Sequence, residues 1–350
     1  TLNGRLQRLQ TRSSYKEENR MYHVAVIGAT GAVGQKMLQV LAELDFPVSR
    51  LSAYPSARSA GTTVQFKGED ITIQALTPSI TEDGIDVALF AAGGTISEQY
   101  APLLAENGTL VVDNSSAFRM QETIPLVVPE VNPQAIQTTD RLIANPNCST
   151  IQSVVALAPL QSLGFERVNY TTYQAVSGSG QKGIEDLARG ARGEEPVNYP
   201  HPIHDNILPH IDVFLENGYT KEEQKMIDET RKIFNLPALP VSATCVRVPV
   251  TNSHSVAINV TFTQPTTVAA IREALEGAPG VVLIDDVANT RYPMPLDASG
   301  TDDVYVGRIR QDDSLANTFH LWCVADNIRK GAASNAVQVA RQAIEQSIHS

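Results

Sequence analysis

The chemistry available to this chain starts from one thiol. Of three cysteines, Cys148 lies in Asn145-Pro146-Asn147-Cys148-Ser149-Thr150, where one pattern of elements ends and a helical run begins. A thiol at a helix N-terminus meets free N–H groups and the positive end of the helix dipole, which lower its pKa. The thiolate can attack an acyl or carbonyl carbon. Cys245 and Cys323 sit inside apolar strand-like runs, where a cysteine is usually structural. His254, just after Val248-Pro249-Val250-Thr251-Asn252-Ser253, is a candidate acid–base partner, one among seven histidines.

A second motif points to a nucleotide. Gly28-Ala29-Thr30-Gly31-Ala32-Val33-Gly34 follows the apolar run Tyr22–Ile27 and precedes Val33, Met37, Leu38, Leu41 and Leu44 at helical spacing. Glycines between a strand and a helix let the backbone approach a diphosphate at the helix N-terminus. The expected cofactor contacts are Gly28, Thr30, Gly31, Ala32, Val33 and Gly34; the alternative is a tight turn with no ligand. No acid stands between Leu51 and Gly61 to hold a ribose 2′-hydroxyl, whereas Ser56-Ala57-Arg58-Ser59 suits a 2′-phosphate. Ser56, Arg58 and Ser59 therefore predict NADP, with a solvated loop arginine as the plainer reading.

The elements that must position these groups follow two patterns. Strand-like Asp86–Phe90 and Thr109–Val112 flank a helix at Ser97–Glu106, and Leu126–Val128 and Leu142–Ala144 extend the series. Alternating strands and helices predict a Rossmann-type α/β domain over residues 21–147, with the last helix, 328–350, packed back on it. From Cys148 the pattern changes. Ser149–Leu163 reads as a helix, while Arg167–Val176 and Ser255–Phe262 alternate by twos, joined by Asp303–Arg310 and Thr318–Ala325. Long strands predict an α+β domain with a large mixed or antiparallel sheet over residues 148–327.

Composition bounds the function. The chain has 350 residues, about two domains' worth, and is 42% apolar. No apolar run is long enough to span a bilayer. A net charge of −11 argues against general nucleic-acid binding. Scattered cysteines without a CxxC pair argue against a disulfide framework or zinc ribbon and fit a reducing cytoplasm. His201, His204 and His210 lie among prolines; an irregular surface or subunit-contact segment explains them better than a metal, since no carboxylate–His helix motif accompanies them. Residues 1–20 carry five basic residues against two acids, with Leu2, Leu6 and Leu9 at helical spacing. That spacing and the arginines suit a transit peptide; the favoured reading is a non-native or leader extension, since Lys16-Glu17-Glu18 can be encoded by a purine-rich, ribosome-binding-like sequence just ahead of Met21.

Gly28–Gly34, Asn145–Thr150, Tyr173-Gln174-Ala175-Val176-Ser177-Gly178 and Cys245–His254 together resemble the aspartate-semialdehyde dehydrogenase family, over Met21 to Ile348. The nearest likeness is to the bacterial branch common in Gram-positive organisms. The resemblance implies a glyceraldehyde-phosphate-dehydrogenase-like fold. It also implies NADPH-dependent reduction of aspartyl phosphate to aspartate semialdehyde with release of phosphate, on the way to lysine, threonine, methionine and diaminopimelate. It makes Cys148 the nucleophile of a thioacyl intermediate, His254 the acid–base that takes the thiol proton and later returns it, and Gln174 an orienting residue. Arg247 matches the substrate-carboxylate arginine, Glu222 the group for its ammonium, and Arg119 and Lys225 the phosphate site, with Asn147 also among the expected substrate- or phosphate-binding residues. Ser177, Gly178 and Asn327 match cofactor contacts. A homodimer or dimer of dimers and a cytoplasmic location are implied as well.

The charges suit an acyl phosphate of an amino acid, which needs cations for phosphate and carboxylate and an anion for its ammonium. A plainer explanation of Glu222 and Lys225 is an i, i+3 ion pair on a charge-rich helix. N-acetyl-glutamyl-phosphate reductase is the neighbouring alternative, but its nucleophile segment places an aromatic and a proline after the cysteine, where this chain has Ser149-Thr150. A non-catalytic NADP-binding paralogue would have lost the nucleophile or the base.

Overall fold

A computed structural model describes residues 20–55 and 62–348. Ser56, Arg58 and Ser59, and all of the expected leader but Arg20, lie outside them. The chain divides into two units. One holds its residues up to Pro125, with Gln134–Asn145 and the chain from Ala336; the other holds Leu126–Pro133 and Pro146–Asn335.

In the first unit, strand β1 (Tyr22–Ile27) is buried along its whole length, as its unbroken apolar run requires of a central parallel strand. Helix α1 (Ala32–Glu43) follows, then β2 (Val48–Tyr54) and a separate antiparallel hairpin, β3 (Thr63–Phe66) and β4 (Glu69–Thr72). Strand β5 (Val87–Phe90), helix α2 (Gly94–Glu106), β6 (Leu110–Asp113) and β7 (Leu142–Ala144) complete it. The sheet order is β2-β1-β5-β6-β7, all parallel. The order reverses between β1 and β5, which opens a crevice at their carboxyl ends. Gly28 stands there.

Leu126–Val128 adds no full strand to this sheet: Leu126 makes only a bridge, with the Ala144 N–H of β7 donating to the adjacent Pro125 carbonyl at 2.9 Å. The three side chains of this run are buried, but it belongs to the second unit. The Asn132 side chain takes over the hydrogen bonds a strand would make, accepting from Val128 N and donating to the Leu126 carbonyl, both at 2.9 Å.

The second unit begins with α3 (Cys148–Leu157) and β8 (Phe165–Gln174). The helix is shorter than its sequence predicts and gives way to a 3₁₀ turn at Ala158–Leu163. Pro159 lies one residue into that turn and has no N–H to continue α-helical bonding. Next come α4 (Gln181–Ala191), α5 (Lys221–Ile233), β9 (Val241–Arg247), β10 (His254–Phe262), α6 (Val268–Leu275), β11 (Val281–Leu283), α7 (Pro295–Ala298), β12 (Val304–Gln311) and β13 (Thr318–Ala325). Six strands form one mixed sheet in the order β11-β12-β13-β10-β8-β9. β8 with β9 and β11 with β12 are parallel; the other neighbours are antiparallel. The alternation in β10 holds in its middle, where Val256, Ile258, Val260 and Phe262 are buried and Ala257 and Asn259 are only partly covered, but Thr261, expected on the open face, is buried too, its hydroxyl paired with that of Thr318 at 2.9 Å.

The last helix starts later than its sequence suggests. Arg329–Ala333 forms a π turn, and α8 (Ser334–Ile348) follows. The expected boundaries at 147 and 328 also shift. Asn147 is tied to α5, and Lys330 is tied to Glu130 at 2.7 Å and Arg329 to Asp302 at 2.8 Å. These bonds hold residues 146–147 and 328–335 in the second unit.

Candidate active site

Cys148 is the first residue of α3 and is partly exposed, whereas Cys245 and Cys323 are buried. Burial pushes the Cys323 thiol up to about 12 and that of Cys245 higher still. Asn147 is the N-cap: its Oδ1 accepts from Ser149 N at 2.9 Å and Thr150 N at 3.2 Å, pairing two of the helix's first N–H groups. Every other polar group of Asn147 is also engaged. Its carbonyl accepts from Ile151 N at 2.9 Å, its Nδ2 donates to Glu222 Oε1 at 2.8 Å, and its peptide N–H donates to Glu229 Oε2 at 2.6 Å.

Glu222 is the hub. It stands in the first turn of α5, which starts with a capping box between Thr220 and Glu223. Besides Asn147, its carboxylate accepts from Gln174 Nε2 at 3.1 Å and Lys225 Nζ at 3.1 Å. Burial raises its pKa, but the charge of Lys225 and the bonds from Asn147 and Gln174 outweigh that and bring it down to about 2. Lys225 also donates to Asp212 Oδ2 at 2.8 Å. Burial lowers its ammonium pKa, while Glu222 and Asp212 more than reverse the effect. The i, i+3 ion pair is therefore real, and it is also joined to the helix cap beside Cys148.

His254 opens β10 and is wholly buried. Its Nδ1 accepts the Ala175 N–H at 3.0 Å. The proton of the neutral ring therefore sits on Nε2, which has no hydrogen-bond partner among the described residues. Burial and the nearby Arg247 charge bring the imidazole down to about 3, against the weaker pull of Glu222. This ring donates from Nε2. With Nδ1 taken up by that backbone N–H, the neutral ring presents a donor rather than a lone pair at Nε2. Arg247, at the end of β9, donates from Nη1 to the Ala175 carbonyl at 2.7 Å, and its Nε has no partner among the described residues. Gly178 lies beside both: a Cβ there would come within 2.8 Å of Arg247 Nη1 and 3.3 Å of His254 Nε2.

Ser177 and Asn327 meet through their side chains at 3.0 Å, and Asn327 Oδ1 also accepts from Ser253 N at 2.9 Å. The second unit thus joins Asn147, the cap that precedes Cys148, to Gln174, Glu222 and Lys225 in one network, with Arg247, His254 and Gly178 close together elsewhere and Ser177 paired with Asn327.

The glycine loop and Arg119 belong to the first unit. Gly28 has φ +88°, and a Cβ would lie 2.7 Å from the Ala91 backbone that follows β5, so only glycine fits. Gly31 caps α1 without any side-chain bond, and no acid occupies the helix's first turn. Thr30, Ala32, Val33 and Gly34 line the same turn and first helical residues. Such an end suits an anion. Arg119 is buried and bonds backbone: Nε to the Asn145 carbonyl and Nη2 to the Asn114 carbonyl, each at 2.9 Å.

Sequence reasoning missed Glu229 and Asp212. Glu229 had a usable signal, its spacing of two helical turns from Glu222. Asp212 had none, because it stands in an irregular segment.

Two family models match the chain. A semialdehyde dehydrogenase NAD binding domain covers residues 23–139, and a semialdehyde dehydrogenase dimerisation domain covers 157–330. Among curated relatives, the aspartate-semialdehyde dehydrogenase of Aquifex aeolicus is 50% identical over 93% of this chain and 99% of its own. That of Bacillus subtilis is 48% identical over 91% and 96%. Figures so close do not single out the Gram-positive-type branch. A crystal structure of aspartate semialdehyde dehydrogenase II from Vibrio cholerae, complexed with ASA, superposes with a TM-score of 0.88 at 46% identity, covering 93% of this chain and 99% of that one. Aspartate semialdehyde dehydrogenase with NADP from Candida albicans gives 0.75 at 25% identity, covering 94% and 99%.

Proposed function

The chain belongs to the aspartate-semialdehyde dehydrogenase family, and from that premise we propose how its own residues carry out NADPH-dependent reduction of L-aspartyl-4-phosphate to L-aspartate 4-semialdehyde and phosphate. The observation that carries the reading is the partly exposed Cys148 at the start of α3, its cap Asn147 bonded to the same Glu222 that holds Gln174 and Lys225.

Glu222, held as a carboxylate by Lys225, takes the substrate ammonium. Arg247 takes the substrate carboxylate with a guanidinium whose Nε has no partner among the described residues. Lys225 and Arg119 serve the phosphate, and Gln174 orients the acyl group. Cys148 Sγ attacks the acyl carbon; a C–S bond forms, the C–O bond to phosphate breaks, and phosphate leaves, its final proton drawn from solvent. NADPH, when bound, supplies the hydride that reduces the thioester. The C–S bond then breaks to release the aldehyde and return the thiolate. In both tetrahedral stages the acyl oxygen bears negative charge, and the Nε2–H of His254 is the donor for it. The thiol proton passes to solvent before attack rather than to this buried ring.

Gly28, Thr30, Gly31, Ala32, Val33 and Gly34 hold the cofactor diphosphate. The positive φ of Gly28 and the acid-free first turn of α1 support this. Ser177, Gly178 and Asn327 hold the nicotinamide side, and Ser56, Arg58 and Ser59 read the 2′-phosphate. The enzyme works in the cytoplasm as a homodimer or a dimer of dimers. The dimerisation-domain match supports the pairing, and no helix among the described residues is long and apolar enough to cross a membrane.

The test runs the reaction backwards. Aspartate semialdehyde, phosphate and NADP⁺ are mixed, with NAD⁺ in parallel, and reduced nicotinamide is followed by its absorbance. Phosphate-dependent reduction of NADP⁺ is expected. Turnover only with N-acetylglutamate semialdehyde would move the chain to the arginine-type reductase, and turnover without phosphate would exclude the acyl-phosphate chemistry.

A further inference from the structure

Glu229 follows Glu222 by seven residues on α5, two helical turns, so both carboxyl groups leave the same face. Both residues are buried, at 1% and 5% exposure. Together they grip Asn147 at two separate points. Glu222 takes the side-chain Nδ2 at 2.8 Å, and Glu229 takes the peptide N–H at 2.6 Å. The two grips differ in kind. The side-chain grip shares its carboxylate with Gln174 and Lys225, and that carboxylate is the one proposed to meet the substrate ammonium. The backbone grip is made by a group with no part in the proposed ligand contacts.

The N-cap is the residue from which α3 departs, and Asn147 holds an extended backbone there, with φ −60° and ψ 144°. Its N–H has no partner within the helix, so whatever accepts it fixes the entry of the chain into Cys148. An anchor that must accommodate a ligand cannot by itself hold this entry still. Glu229 can.

We propose that Glu229 is a positioning residue for the reaction: by accepting the Asn147 N–H it sets where Cys148 Sγ stands, independently of what binds to Glu222. This rests on the reading of Cys148 as nucleophile. Reach matters in this account, and charge does not. A glutamine keeps the reach, since its amide oxygen can accept the same N–H. An aspartate keeps the acid and stops one methylene short.

The experiment uses the full-length enzyme with Glu229→Gln, Glu229→Asp and a Cys148→Ser control. Three things are measured: steady-state kcat and KM in the phosphate-dependent direction, the rate of Cys148 alkylation by iodoacetamide in the free enzyme, located by peptide mass spectrometry, and Tm. E229Q is expected to keep kcat within about threefold of wild type. Misplacement of a reacting atom by about 1 Å costs on the order of 10²-fold, so E229D should lose about 10- to 100-fold in kcat. Its KM for the aldehyde should hardly move, and its alkylation should slow in step. The proposal is overturned if E229Q falls as far as E229D, because charge rather than reach would then be at work. It is also overturned if E229D keeps wild-type kcat and alkylation, or if KM rises while kcat stays. Should E229D fail to fold, a loss of more than about tenfold in E229Q alone overturns it, since that variant keeps the acceptor. Turnover retained in C148S would instead remove the reading on which the proposal stands, and it is distinguishable because it appears in the control.

Discussion

Replacing His254 with alanine tests the account of this ring most directly. The ring is 0% exposed, its Nδ1 is occupied by the Ala175 N–H, and its Nε2 has no partner among the described residues. A buried donor left in that condition costs about 1–3 kcal/mol. That cost is relieved when a charged oxygen stands opposite it. Removing one such donor from a charge-stabilising site costs about 10²- to 10³-fold in kcat. His254→Ala should therefore lower kcat by that factor, with KM for aldehyde and phosphate nearly unchanged. A ring brought down to about 3 is protonated at pH 7 in only about one molecule in 10⁴, so it contributes no ionisation between pH 5 and 8. The assay is kcat against pH for wild type and variant, together with ¹⁵N NMR of histidine-labelled enzyme to identify which ring nitrogen carries hydrogen. An acid limb near neutrality that disappears in the variant would refute the reasoning. So would a protonated Nδ1, or a loss below about tenfold.

Four further outcomes follow from the same geometry. His254 has its pKa lowered from 6.5 to about 3, so the folded state binds fewer protons than the unfolded chain between these values. Its stabilising contribution is full above pH 6.5 and is lost as pH falls towards 3; His254→Gln should flatten the early part of the acid-unfolding curve, measured by urea titration at stepped pH. Glu222 behaves likewise from 4.5 to about 2, worth about 3 kcal/mol, and Glu222→Gln should remove the decline in that lower window while raising KM for the semialdehyde. Gly178→Ala puts a methyl group 2.8 Å from Arg247 Nη1; kcat/KM should fall about 10- to 100-fold with little change in Tm, and wild-type kinetics would show that the space is not used. Lys225→Ala should raise KM for phosphate more than it weakens NADP binding, and equal effects would return Lys225 to a plain ion pair.

Parts of the fold and site are open to inspection in one dimension because they depend on neighbours in the chain. Tyr22–Ile27 is an unbroken apolar run, and only a strand covered on both faces suits it. Gly28 must be glycine for a local reason, its positive φ, reinforced by the Ala91 backbone. The two-residue period of β10 picks out its apolar core side chains Val256, Ile258, Val260 and Phe262, though it does not foresee the burial of Thr261. Cys148 reads as a helix-start thiol because Asn147, a good N-cap, precedes it. Local rules also mislead. Leu126–Val128 has the apolar character of a strand, yet Asn132 bonds its backbone instead. Ser149–Leu163 has helical spacing throughout, yet the α-helix ends at Leu157.

Which residues could react is written along the chain: a thiol at a helix start, a glycine loop between a strand and a helix, no acid between Leu51 and Gly61, cations and carboxylates in plausible number. Which of them act together is settled by contacts between distant parts of the chain. Asn147 and Glu222 are 75 residues apart, Asn147 and Glu229 are 82, and Ala175 and His254 are 79. No helical or strand period spans such distances. The same holds for protonation. Lys225 and two amides make Glu222 a firm carboxylate, and burial with one backbone N–H turns His254 into a donor. A titratable group takes its character from the dielectric and charges around it, and those surroundings exist only once α3, α5, β8, β9 and β10 have come together.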